Sequence, residues 1–423
     1  MHRYFWHTVV LATATALMAC SGGGEGSSNR WVAVTDTIGD TITVRTISGS
    51  VWGDTAYLEP EVSIGMLEGP DEYLIGNPRS LAVSDDGVIF MLDRQVPVIR
   101  AYGSDGIHMF DVGREGGGPG EYKSPGAIAL LSDGRLLVRD PANNRISIFG
   151  SDGQYLEHIR YPGGFNTGRR LHVDTSDVAF SLVLMNYGTA PWDWEFGLVR
   201  VDPDHGIMDT LVVPIWDFEK AELTASRENS STSNSVPFTA DDSWTFSPLG
   251  YIVGGVSTDY RIDLFRVGLP VLRIEREWTP VPVKREEAEE RRRRSTENMR
   301  RQYPGWQWNG PPIPDTKPPF RGMFVSEEGN IWILVSQPGT PTMSEAEARE
   351  EEQRTGRPQL RFTEPAAYDV FAPDGRFLGH VSVPQSFSNS PEPIVRGDTV
   401  WAVTRDELDV ASIMRFRIVR SEG

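Results

Sequence analysis

The stretch Gly113–Pro125, GREGGGPGEYKSP, sets five glycines and a Lys-Ser pair within thirteen residues, the composition of a loop that cradles phosphate on backbone N–H groups. Its order argues otherwise. Such a loop needs glycine directly before the lysine and a helix after the serine, whereas Tyr122 precedes Lys123 and a strand-like run follows Ser124. Pro119 also removes one of the N–H groups the cradle would use. Gly69-Pro-Asp-Glu-Tyr73 echoes Gly118-Pro-Gly-Glu-Tyr122, so the motif reads as a structural junction between repeated units.

Other chemistry is sparse. The histidines beyond the N-terminal segment, His108, His158, His172, His205 and His380, form no close pair at metal-ligand spacing, and no Gly-x-Ser-x-Gly elbow is present. No catalytic residue and no metal ligand is therefore assigned. Asp93 and Asp140 recur at one position of a repeat, where a carboxylate either faces a channel or caps a turn by accepting backbone N–H bonds; recurrence favours the cap. Residues from distant units can still converge on an axis, so calcium is the one ion left open. Trp306 and Trp308 head a proline-rich run ending at Phe320, and Trp192 and Trp194 flank an aspartate. Each pair reads either as packing, a cap over a sheet edge or channel mouth, or as an aromatic platform for a sugar or peptide.

The elements that must carry these residues show a period. Residues 78–106 superimpose on 125–153 with a constant offset of 47, matching Pro78 with Pro125, Asp93 with Asp140, and Gly103-Ser-Asp-Gly106 with Gly150-Ser-Asp-Gly153. The first copy reads as strands over Ser80–Val83, Val88–Leu92, Ile99–Tyr102 and Ile107–Val112, and the second over Ala127–Leu130, Arg135–Arg139, Arg145–Phe149 and Gln154–Ile159. Asp-Gly pairs stand at the hairpin turns, where positive φ is required. A four-stranded antiparallel meander at this period is the signature of a propeller blade. Fainter copies around Leu198–Val201, Tyr251–Phe265, Asn330–Leu334 with Tyr368–Gly379, and Asp398–Val419 bring the count to six. The fold expected is all-β, a six-bladed β-propeller of four-stranded antiparallel blades, with Trp31–Ile47 supplying the strand that completes the last blade.

Two inserts interrupt the pattern, at about residues 283–320 and 337–362. In the first, Glu287 with Arg291, Glu289 with Arg293 and Glu290 with Arg294 are spaced i,i+4, so a helix is expected between blades four and five. Only Ala288 and Met299 are apolar in its interior, which predicts a solvated excursion. In the second, Ser344 caps a short acidic helix.

The N-terminus reads as an export signal: His2 and Arg3 precede an apolar stretch, and Leu17-Met-Ala-Cys20 contains the only cysteine. Residues 1–19 would be removed, Cys20 would carry lipid, and residues 20–29, rich in Gly and Ser, would tether a domain of residues 30–423. The formal net charge of −18 argues against nucleic acid and anionic membrane surfaces as partners.

With Gly113–Tyr122, the Pro125–Ile159 repeat containing Asp140-Pro-Ala-Asn-Asn-Arg-Ile, and the Cys20 motif together, the chain resembles the bacterial six-bladed β-propeller lipoproteins related to NHL-repeat propellers. The likeness is specific over about residues 60–160. It implies an exported, lipid-anchored propeller, on the periplasmic face of the outer membrane or the cell surface. Some NHL-type propellers are lyases or bind peptides and sugars, so the fold leaves function open. The expected role is a monomeric binding or scaffold module for a protein, peptide or glycan. The alternative is a divalent-metal-dependent, lactonase-like hydrolase or lyase at the axis. No cofactor is expected.

Overall fold

The computed structural model describes residues 30–53, 55–160, 171–186, 195–227 and 230–420. Cys20, Trp192 and Trp194 lie outside these residues.

The 47-residue period becomes two successive antiparallel sheets. Strands Pro78–Val83, Ile89–Asp93, Val98–Tyr102 and His108–Val112 form the first, and Ala127–Leu130, Leu136–Asp140, Arg145–Phe149 and Tyr155–Arg160 the second. Their hairpins turn at Gly87 and Gly134, both at φ 85°, a conformation that explains the recurring Asp-Gly pairs. A third sheet spans Leu171–Val212 and a fourth runs from Asp242 to Arg276. The run Phe320–Val325, Ile331–Val335, Ala367–Phe371 and Phe377–Ser382 follows, then Ile394–Arg396, Thr399–Arg405 and Ala411–Val419.

The core lies between sheets. Phe90 and Leu92 of the first meet Leu136 and Phe149 of the second, and Ile146 and Ile148 of the second meet Val199 and Val201 of the third. Phe180 packs on Phe246, Ile262 lies with Phe371, and Trp332 with Phe416. Ile413 and Trp401 then return the chain of contacts to Ile89 and Met91 of the first sheet. Each sheet is thus buried on both faces by its neighbours, and the ring closes on itself.

The closing strand differs from the expectation. Trp31–Ile47 does not complete the last sheet; its hairpin, Val32–Ile38 and Thr41–Ser48, extends the outer edge of the fourth, with Thr41–Thr46 parallel to Val271–Arg276. The strand that pairs with Ala411–Val419 is Ala56–Ile64. Pro60 argues against a strand there, since proline cannot donate to a ladder. A register shift between Pro60 and Val62 accommodates it, leaving Glu61 as the extra residue.

Helix α1, Arg285–Gln302, and helix α2, Glu345–Thr355, stand in the two long insertions. Ser344 caps α2 in a reciprocal box, accepting from Glu347 N–H at 3.3 Å while Glu347 Oε2 accepts from Ser344 N–H at 2.7 Å. The expectation of a solvated α1 is corrected. A third insertion, the hairpin Glu222–Arg227 and Ser230–Ser235, lies against one side of α1, and α2 against the other. The i,i+4 pairs expected within α1 are replaced by tertiary ones: Glu287 with Lys317, Glu290 with Arg361, and Arg293 with Glu352. A helix with almost no apolar face is held here by its charges.

Candidate functional site

The junction Gly113–Pro125 folds as a structural connection. Gly118 N–H donates to the Glu121 carboxylate at 2.8 Å, and the carbonyls of Gly118 and Glu121 each accept from Arg145 at 2.6 Å. The loop therefore supplies its own anion and presents acceptors where a phosphate would need donors. Tyr122 sits beneath it, accepting from Ile99 N–H and donating to Val112 O; burial pushes its hydroxyl up to about 12 and keeps it a donor.

Asp93 and Asp140 cap loops. Asp93 accepts from the backbone N–H groups of Gly76, Asn77 and Gln95, and Asp140 from those of Lys123 and Ser124 at 2.9 and 3.1 Å. Each carboxylate fastens the loop that leads into the first strand of its sheet. Asp140→Ala is expected to lower stability by about 1.5–3 kcal/mol, the range for hydrogen bonds to a charged acceptor, measured as a shift in denaturant midpoint.

Trp306 is buried in a small apolar cluster with Leu223, Val236, Met299 and Tyr303, and its indole N–H donates to Thr224 O at 2.8 Å. Trp308 packs against the edge of that cluster and donates to the carbonyls of Gly310 and Pro311, both at 3.0 Å. The Trp306 indole thereby ties the proline-rich run to the hairpin Glu222–Ser235, while the Trp308 N–H bonds within the run itself. The guanidinium carbon of Arg292 lies 4.8 Å from the Trp308 ring centroid.

A concavity of about 910 Å³ lies where the first strands of successive sheets stand side by side. Its walls are about half apolar, from residues such as Ala129, Leu130, Val173, Val325 and Ile394, and about half polar, with Arg79, His172 and Glu392 among the polar groups. Sequence reasoning missed these residues because a first strand's inward side chains are read only once the ring is built.

Arg79 carries a local signal of its own. Pairing steps from Pro78 opposite Asp93 to Ser80 opposite Leu92, so Arg79 is the extra residue of a bulge, a device that re-aims a side chain.

The acidic residues at the turn end of this cavity are engaged with the protein. Asp177 accepts from Ser132 N–H and hydroxyl, latching the third sheet to the second. Arg396 donates to Ser84 O at 2.8 Å and Val83 O at 3.0 Å while pairing with Glu327, so one guanidinium ties the first sheet to the turn between Phe320–Val325 and Ile331–Val335. Among the described residues no group of three His, Cys, Asp or Glu side chains is placed to hold a metal ion.

A second polar centre lies between the fourth sheet and its successor. Buried Asp369 accepts from Tyr260 hydroxyl at 2.7 Å, pairs with His380 Nδ1 at 3.0 Å, and contacts the Arg276 guanidinium. Burial works to raise the Asp369 carboxyl, but His380, Arg276 and Tyr260 outweigh it and hold it below the usual carboxylate range. Burial pushes the Tyr260 hydroxyl well up, with the Asp369 charge adding to it.

No protein-family model and no curated protein matches the chain by sequence. Solved structures do. A member of the DUF4221 family from Bacteroides vulgatus superimposes with a TM-score of 0.51 at 10% identity, over 87% of this chain and 99% of that one. A protein from Bacteroides fragilis named as exported gives 0.45 at 12% identity, over 86% and 95%. Virginiamycin B lyase from Staphylococcus aureus gives 0.39 at 10% identity, over 81% and 95%. At such identities the likeness is one of fold alone, that of a β-propeller.

Proposed function

We propose that the chain is a six-bladed β-propeller that binds a ligand in its axial cavity, an exported module anchored through lipid on Cys20 and facing a protein, peptide or glycan. The observation that carries this reading is the cavity itself: about 910 Å³, with mixed apolar and polar walls contributed by several sheets. The four-stranded runs, the last completed by Ala56–Ile64, support a count of six units. Helix α1 is then an insert between the fourth and fifth blades. Among the described residues no helix is long and apolar enough to cross a membrane, which suits attachment from the N-terminus.

Thermal unfolding in the presence of oligosaccharide and peptide panels tests this, with Ala129→Trp as the variant that fills the cavity. A ligand that raises the midpoint of the unaltered protein and not of Ala129→Trp is expected. An equal shift in both would remove the cavity from the binding site. A rise with calcium, reversed by chelator, would instead support the metal-dependent hydrolase or lyase.

A further inference from the structure

The insertions meet the strand Phe320–Val325 in a knot of charge. Lys317, fully buried, donates to Glu287 Oε1 at 2.8 Å, Gln337 O at 3.1 Å and Glu364 Oε2 at 3.2 Å, which uses all three of its protons. Glu364 Oε1 accepts from Gln337 N–H at 2.7 Å and pairs with Arg321 Nε at 2.9 Å. Two guanidiniums are left over. Arg321 uses only Nε; its other N–H groups have no partner among the described residues, and its side chain is 33% exposed. Arg291, one turn along α1 from Glu287, has neither a hydrogen bond nor an ion pair among the described residues, and its guanidinium carbon lies 5.8 Å from the Phe238 ring centroid.

Two structural features adjoin this knot. Pairing steps from Phe320 opposite Val335 to Gly322 opposite Leu334, so Arg321 is the extra residue of a bulge that takes its side chain out of the strand's alternation, as at Arg79. The Tyr368 hydroxyl, within reach of the Arg321 charge, and the Ser336 hydroxyl are both buried without a hydrogen-bond partner. Burial pulls the Arg291 guanidinium below its ordinary value; Glu287 and Glu364 oppose this, and Arg321 and Arg294 reinforce it. Lys317 is matched by Glu287 and Glu364 and Arg321 is held through Nε by Glu364, which leaves Arg291 as the cation of the knot without an ion pair among the described residues; Glu392 also acts on the Tyr368 hydroxyl.

We propose that Arg291 and Arg321 form a clamp for the carboxylate of a small organic acid, held by paired N–H donors from the two guanidiniums beside the Phe238 ring. Neither arginine lines the axial cavity, so the clamp stands or falls apart from the reading above.

Glucuronate tests the clamp, with its neutral amide glucuronamide as control and inorganic phosphate as competitor, by calorimetric titration at constant ionic strength. Glucuronate should bind and glucuronamide should not. Arg291→Gln and Arg321→Gln should each weaken glucuronate binding about tenfold or more. Arg321→Lys keeps the charge and the Glu364 pair but lacks the planar fork, and should also lose affinity while unfolding as the unaltered protein does. Equal binding of glucuronate by the Gln variants, or no binding by the unaltered protein, would overturn the proposal. Phosphate binding in place of glucuronate would overturn the carboxylate assignment.

Discussion

Lys317→Met is expected to lower the unfolding free energy by about 3–5 kcal/mol, the range for breaking a buried ion pair from one side. The lysine is enclosed completely, and Glu287 and Glu364 are 2% and 6% exposed at their side chains. Removing the ammonium leaves two carboxylates out of water; Glu364 keeps Arg321 and Gln337 N–H, whereas Glu287 keeps nothing within hydrogen-bonding distance among the described residues. Denaturant unfolding should show the loss, and the double variant Lys317→Met, Glu287→Met should recover part of it by burying a matched apolar pair. A single variant as stable as the unaltered protein would mean that water reaches the triad.

Asp369→Asn is expected to have an effect of similar size, about 3–5 kcal/mol, because it leaves the Arg276 charge facing a neutral amide. Here pH gives a second readout. The folded carboxyl is held below its unfolded value, so its contribution is complete above about pH 4 and is lost as pH falls through the folded value. The stability gap between the two proteins should therefore narrow in acid. A gap that stayed constant down to the acid transition would show that the carboxylate charge is not what stabilises this centre.

Much of the fold was legible before any coordinates because its signals are local. The Asp-Gly turns, the alternation between them and the 47-residue offset act within one sheet, and the strands of the first two sheets begin and end within a residue or two of the expected positions. The same locality explains why Asp93 and Asp140 read as caps: their partners lie 16 or 17 residues away in the preceding loop, or two residues on. Where partners are distant, sequence reasoning failed. The charges of α1 suggest pairs along the helix, yet Glu290 meets Arg361 and Arg293 meets Glu352 from another insertion. Pro60 hid the closing strand because a bulge can absorb a proline that a regular ladder cannot. The bulged arginines Arg79 and Arg321 leave no trace in composition, since a bulge is a property of two strands in register.

The closing strand bears on how the chain reaches its native state. Glu61 and Glu59 of Ala56–Ile64 pair with Arg415 and Arg417, at separations of 354 and 358 residues. At equilibrium this distance matters little: closing such a loop costs only about 2 kcal/mol more than closing one of about 40 residues, because the entropy grows with the logarithm of length. Kinetically it matters a great deal. Contacts of such high order form late, and until they do the strand Ala411–Val419 and the flank of Phe377–Ser382 present unpaired backbone to other molecules. The step that completes the ring is thus also the one at which neighbouring chains can exchange strands.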